Sequence, residues 1–220
     1  MLTRLLSNGL SGFQIVEFLL NIVAVMLSLT FHELSHGFVA WKLGDPTAKN
    51  AGRLTLNPLK HLDPLGAICM LLFRFGWAKP VPVSVMYFKN PRRDMAYVAA
   101  AGPVANILFG LVSLFLYYLA ALYLPEIVVV DYLLSFLATL TVLNVGFAVF
   151  NLLPLPPLDG SRIAGLFLPQ NWYWTLLRYE RYIQIAVLIL LYTGMLTTPL
   201  GIVRNLILSG MEGFVRWILL

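Results

Sequence analysis

Four stretches of this chain are apolar over the length a helix needs to cross a bilayer, about 20 residues. They run from about Phe13 to Ala40, Met95 to Leu122, Tyr132 to Leu153 and Tyr182 to Leu208, the last interrupted by Pro199 and Gly201. A fifth run, Leu65–Phe75, has 11 residues. That is too short to span and predicts a re-entrant or interfacial piece. The short apolar tail Gly213–Leu220 fits none of these. Between the first two spans the pattern changes. Gly52–Leu56 and Val81–Val85 alternate apolar and polar residues and are bounded by Pro, Gly or Asn, a weak strand signal. Pro80 and Pro82 restrict the second to a sheet edge or an irregular strand. The predicted fold is an all-α polytopic membrane protein. It has about four spanning helices, a re-entrant segment and a small β element on the cytoplasmic side. One domain is expected, with its core over about 13–165 and a C-terminal helix over about 182–208.

Composition supports the same reading. Hydrophobic residues make up 60% of the chain and charged residues 11%, with mean hydropathy +0.82. Globular chains carry about 25% charged residues, and a water-facing surface cannot be built from this set. The net charge is +5, but nucleic-acid binding explains it poorly, because the basic residues sit in short loops between apolar runs. Loop 41–64 holds Lys42, Lys49, Arg53 and Lys60. Stretch 74–94 holds Arg74, Lys79, Lys89, Arg92 and Arg93, and loop 160–181 holds Arg162, Arg178 and Arg181. Loop 123–131 holds Glu126 and Asp131 and no basic residue. The positive-inside rule then places 41–94 and 160–181 in the cytoplasm and 123–131 outside. Both termini fall outside, with Arg4 a mild conflict. The single cysteine, Cys69, excludes an intrachain disulfide. The first apolar run is too long for a cleaved signal and reads as a retained span.

The strongest local chemistry is His32-Glu33-Leu34-Ser35-His36. At about 100° per residue the two histidines lie roughly 40° apart on one helical face, where both imidazoles reach one metal ion. Glu33, next to a ligand but not itself one, can take a proton from a water that the metal activates. Two surface histidines on an amphipathic helix would give the same letters. The surroundings argue otherwise: Phe18–Phe31 contains only Asn21, Ser28 and Thr30 as polar residues, and Phe38, Val39, Ala40 and Trp41 come after the motif. If the helix leaves the membrane near Ala40, His32 lies roughly 12 Å deep. An ionisable group at that depth costs at least ~2.5 kcal/mol and marks function. Three of them within five positions call for a divalent cation.

A hydrolytic zinc site takes three protein ligands and an open position. His61, in the Pro-flanked loop Asn57–Pro64, is a weak candidate for the third. Asp159 is the better one. It ends Asn151-Leu-Leu-Pro-Leu-Pro-Pro-Leu-Asp-Gly160, whose three prolines prevent regular helix. Non-helical backbone at membrane depth survives where it lines a cavity or is buried in protein. The alternative is that Asp159 caps the next helix. Asn144 and Asn151, seven residues apart, share a helical face. Their amides suit an oxyanion or helix–helix hydrogen bonding, and the second reading is preferred for Asn144.

These residues resemble the site-2 proteases, zinc-dependent intramembrane metalloproteases, and in particular their short prokaryotic members. His32–His36 matches the family's first motif, and Asn151–Gly160 matches N-x-x-P-x-x-P-L-D-G. The resemblance implies Asp159 as third zinc ligand and Asn151 as a substrate or oxyanion contact. Ala101–Asn106 resembles the G-P-x-x-N motif of an intervening helix. Gly52–Pro58 and Gly76–Val83 also resemble stretches of the short members. The matches cover about residues 28–165, and no stretch is long enough for an inserted PDZ domain or a CBS pair. The resemblance further implies one zinc per chain, Glu33 as general base and transmembrane protein substrates in the cell membrane of a prokaryote. Asn106, Val81 and Val83 stand as candidate substrate-contacting positions, the valines through pairing with an unwound substrate strand. A membrane metal transporter or sensor, or an inactive relative that binds without cutting, remains as an alternative.

Overall fold

The computed structural model of the chain describes residues 12–66 and 79–219. The helices lying wholly within these residues are, in order, α1 Gly12–Lys42, α2 Thr47–Asn50, α3 Pro91–Tyr123, α4 Val128–Asn151, α5 Asp159–Ala164, α6 Gln170–Arg178, α7 Glu180–Tyr192 and α8 Thr197–Leu219. Short 3-10 turns occupy Pro58–Lys60 and Val85–Tyr87. The helices α1, α3 and α4 are each long and apolar enough to cross a membrane, and α7 with α8 makes a fourth crossing if the bent pair counts as one span.

The centre of the fold is α3, which packs on α1, α4, α5 and α8. Its sequence explains why. Ala96, Ala99, Gly102, Asn106, Gly110 and Ser113 recur every three or four residues and are all buried. The bulky Val104, Leu108, Val112 and Leu116, spaced by four, are about half exposed on another face. Helix contact in lipid is not driven by apolar burial, since lipid is as apolar as leucine; small and hydrogen-bonding residues let backbones approach. At Gly110 an added Cβ would already touch Asn144 Cβ and Val145 Cγ2 at 3.4 Å. Where α3, α4 and α8 meet, Val145, Val149 and Met211 form an apolar cluster that seats α8. Tyr118 Oη donates to Glu212 Oε1 at 2.7 Å and accepts from Arg216 Nε at 3.0 Å, tying α8 to α3.

Two expectations are corrected. Among the described residues no β-strand forms, at Gly52–Leu56 or at Val81–Val85. Gly52 turns the chain at φ +64°. Pro80 and Pro82 have no N–H to offer a ladder, and the N–H groups of Val81 and Ser84 go to carboxylates instead of a neighbouring strand. The interruption of the fourth span falls earlier than at Pro199 and Gly201. The chain breaks between Tyr192 and Thr197 and bends by 82°, where Gly194 takes φ +75°, a left-handed turn that glycine adopts freely. Pro199 falls in the first turn of α8, where a missing N–H costs nothing, and α8 absorbs the tail to Leu219. The run Leu65–Phe75 lies, after Gly66, outside the described residues.

Candidate metal centre

Successive turns of α1 present His32 and His36, with their rings edge to face at 89°. Each ring is oriented from behind by α3. His36 Nδ1 lies 2.7 Å from the carbonyl oxygen of Val98. A carbonyl only accepts, so Nδ1 carries the proton and Nε2 is left as a bare lone pair. His32 Nδ1 lies 2.6 Å from Asn106 Oδ1. That amide cannot turn over, because its Nδ2 donates to Asn144 Oδ1 at 2.7 Å. Asn144 Nδ2 in turn donates to Ser28 Oγ and the Leu140 carbonyl, both at 2.8 Å, and the Ser28 hydroxyl donates to the Ala24 carbonyl at 2.7 Å. The direction of every bond is thereby fixed, and His32 also points a bare Nε2 forward. Asn106 and Asn144 are both fully buried.

Opposite the two rings stands Asp159, the first residue of α5. It makes no capping bond to that helix, so the capping alternative is not the one the fold uses. Its Oδ2 lies 3.2 Å from His32 Nε2 and 3.4 Å from His36 Nε2, and the two Nε2 atoms are 3.0 Å apart. Oδ2 is buried with no hydrogen-bond donor of its own. Three acceptors therefore face one another with no proton between them, an arrangement that repels unless a cation sits at its centre. Tetrahedral zinc with ligands at about 2.0–2.1 Å sets ligand atoms about 3.3 Å apart, which is the size of this triangle. Gly102 on α3 leaves the room: a Cβ there would fall 2.5 Å from both His32 Cε1 and His36 Nε2. Donor set, orphaned oxygen and cradle all fit zinc.

Known proteins give the same answer. The chain is 43% identical to the candidate zinc metalloprotease YwhC of Bacillus subtilis over 182 residues, 82% of this chain and 81% of that protein. The chain belongs to peptidase family M50, the site-2 proteases. The signature of that family matches residues 119–195. The protease is also 35% identical to the candidate zinc metalloprotease Rip2 of Mycolicibacterium smegmatis, over 65% of this chain and 55% of that one. With the zinc metalloprotease MJ0392 of Methanocaldococcus jannaschii it shares 29% identity over 74% of this chain and 37% of that one. It thus spans most of YwhC and about half or less of the other two. No solved structure matches. This is a zinc metalloprotease with membrane-length apolar helices, and His32, His36 and Asp159 are the group that can hold its metal.

The remaining predicted positions fall in different places. Glu33 is half-buried, and its Oε2 accepts the Val81 N–H at 2.9 Å. Asn151 closes α4, half-buried, and makes no side-chain hydrogen bond to another described residue. The residue after Asp159, Gly160, packs so tightly on the Leu152 and Leu153 carbonyls, just past the end of α4, that a Cβ there would overlap them. That contact folds the proline-rich segment back on itself. On the other side of α5, Arg92 donates to the Gly165 and Leu168 carbonyls and stacks on Tyr173, which locks α5 to the start of α3. Asn106, a candidate for substrate contact, has its amide engaged by His32 and Asn144. The side chain of Val83 packs on the Ala40, Phe88 and Val98 cluster. His61 lies outside the metal group; its Nε2–H donates to the Thr55 carbonyl at 2.9 Å. Sequence reasoning missed the Val98 carbonyl, which carries no side-chain signal, and the role of Gly102, visible only as one letter of a motif.

Proposed function

We propose that the protease hydrolyses peptide bonds in or near transmembrane segments of membrane-anchored proteins, as a step in regulated intramembrane proteolysis. The observation that carries this reading is the metal triad itself, held by α1 and α5 and backed by α3 among helices of membrane length. Zinc held there lowers the pKa of water toward about 7 and polarises a carbonyl. Glu33, one position along the helix from His32, takes a proton from the attacking water and returns it to the leaving amine. Asn151, at the end of α4, donates an amide hydrogen to the developing oxyanion. Asn106 holds His32 in the tautomer that leaves Nε2 free, which is a positioning role.

A substrate helix offers no spare backbone groups, so it must unwind locally before cleavage. Segment 81–83 is suited to receive it as an extended strand, since the backbone N–H of Val83 and the carbonyls of Val81 and Val83 make no hydrogen bond among the described residues. The basic loops favour an orientation with the catalytic end of α1 toward the cytoplasm of a prokaryotic cell, from which water would enter. The test is cleavage of a generic transmembrane substrate by the purified protein, with and without a chelator, beside Glu33→Gln. Cleavage that stops with chelator, returns with zinc and is absent in Glu33→Gln is expected. Full turnover by Glu33→Gln would refute the assignment.

A further inference from the structure

Two stretches that stand out in the sequence, Gly52–Pro58 and the end of Gly76–Val83, supply neither a metal ligand nor an acid–base group. In the fold they clasp each other beside Glu33. The Lys79 backbone is held on both sides: its N–H donates to the His61 carbonyl at 2.9 Å, and its carbonyl accepts from Arg53 Nη2 at 2.6 Å. Two residues on, the Val81 N–H reaches Glu33. At the far end the Ser84 N–H donates to Asp45 Oδ2 at 2.7 Å, while Asp45 Oδ1 accepts the backbone N–H of Thr47 at 2.9 Å and its hydroxyl. Pro80 and Pro82 fix φ between these anchors, so the segment is stiff.

The anchors are unusual in what they bury. Asp45 is fully buried, and Arg53 is 6% exposed. Among the described residues the guanidinium has one carbonyl as partner, and its Nε has none. A charge so poorly compensated is costly to hold inside a protein, and a neutral side chain would fill the space at less cost. Gly37 shows what the arrangement achieves. It stands one turn after Glu33 on the same face of α1, where a Cβ would lie 2.8 Å from Leu54 Cδ2 and 3.0 Å from Val81 Cγ1. Both stretches close onto the helix just beyond the glutamate because no side chain stands there.

We infer that Arg53 is a positioning residue for Glu33. Through the Lys79 carbonyl it sets the place of the Val81 N–H, which holds one carboxylate oxygen and leaves the other to face the attacking water. The gain is orientation: a carboxylate fixed at one oxygen loses fewer productive encounters to rotation. The inference rests on the reading of Glu33 as general base.

The experiment uses the full chain in proteoliposomes with a transmembrane reporter substrate, comparing Arg53→Ala, Arg53→Lys and Glu33→Gln. Turnover, KM, zinc per chain and, on chelator-stripped protein, amide exchange over 79–84 are measured. Arg53→Ala should lower kcat by about 10- to 100-fold, the range seen when a supporting partner of an active-site group is lost. Because segment 81–83 is also the proposed substrate edge, KM should rise, but by less than kcat falls, and zinc content should not change. Arg53→Lys should recover about tenfold, because an ammonium on a comparable stem can still donate one bond to the same carbonyl. In metal-free Arg53→Ala the Val81 amide should exchange faster than in wild type. Wild-type kcat in Arg53→Ala, loss of zinc in step with activity, or an unchanged Val81 amide would each overturn the inference. If Glu33→Gln is inactive and Arg53→Ala is unimpaired, the general-base reading stands and this inference alone fails.

Discussion

Gly102→Ala adds one carbon to the middle of α3 and tests the metal site more sharply than removal of a ligand. The new Cβ would lie 2.5 Å from His32 Cε1 and from His36 Nε2, and 2.6 Å from His36 Cε1. Ordinary contact begins at 3.4 Å, so rings or backbone must give way by about 0.9 Å. The rings are not free to do so, because Asn106 and the Val98 carbonyl hold them from behind. Ligand distances tolerate only about 0.2 Å. Zinc affinity should therefore fall by about 100-fold or more, roughly 2.7 kcal/mol. The same change favours the helix itself, since alanine exceeds glycine by about 1 kcal/mol in helix propensity, so loss of zinc could not be blamed on a weaker α3. Gly110→Ala is the control on the same helix, with its Cβ meeting neighbours at 3.4 Å; it should keep zinc. The assay is zinc retained per chain in competition with a chromophoric chelator. Wild-type affinity in Gly102→Ala would refute the geometry.

The same contacts predict other outcomes. Saturating zinc at about 100 times its Kd should stabilise the metal-free wild type by about 2.7 kcal/mol, read as a rise in melting temperature; Asp159→Asn should show little of that rise. Asn106→Ala strands the His32 Nδ1–H and should cost about 10- to 100-fold in zinc affinity or turnover, checked by the same chelator competition. Asn144→Ala removes the partner that orients Asn106, leaving a buried donor unsatisfied at about 1–3 kcal/mol; thermal unfolding should register it with zinc still bound. Ser35→Cys in a Cys69→Ser background should react with an impermeant thiol reagent from the cytoplasmic face, and labelling only from outside would reverse the orientation.

What was legible in the residues and what was not divides along a physical line. The three long spans read correctly to within a few residues at most of their ends, because a bilayer demands an unbroken apolar run and no neighbour can supply it. The paired histidines were legible because helical periodicity alone puts residues 32 and 36 on one face. The fourth span was legible as an interrupted apolar run, but the place of its break was not, because hydropathy is blind to the backbone turn at Gly194. The predicted strands failed because alternation says nothing about where N–H groups go; here Glu33 and Asp45 outcompete a neighbouring strand.

Sequence alone determined the membrane class, the helix that carries the two histidines and the residue types able to hold zinc, since each comes from composition or local period. The proline-rich segment made Asp159 the better candidate for a third ligand, and the resemblance implied the same role. Only the tertiary structure decided that Asp159 Oδ2 meets both Nε2 atoms, that Asn106 serves His32 from behind, and that Arg53 and Asp45 hold the segment touching Glu33. Those contacts join residues far apart in the chain through hydrogen bonds whose direction depends on packing. No local pattern encodes that direction, and it is what turns a set of donors into a site.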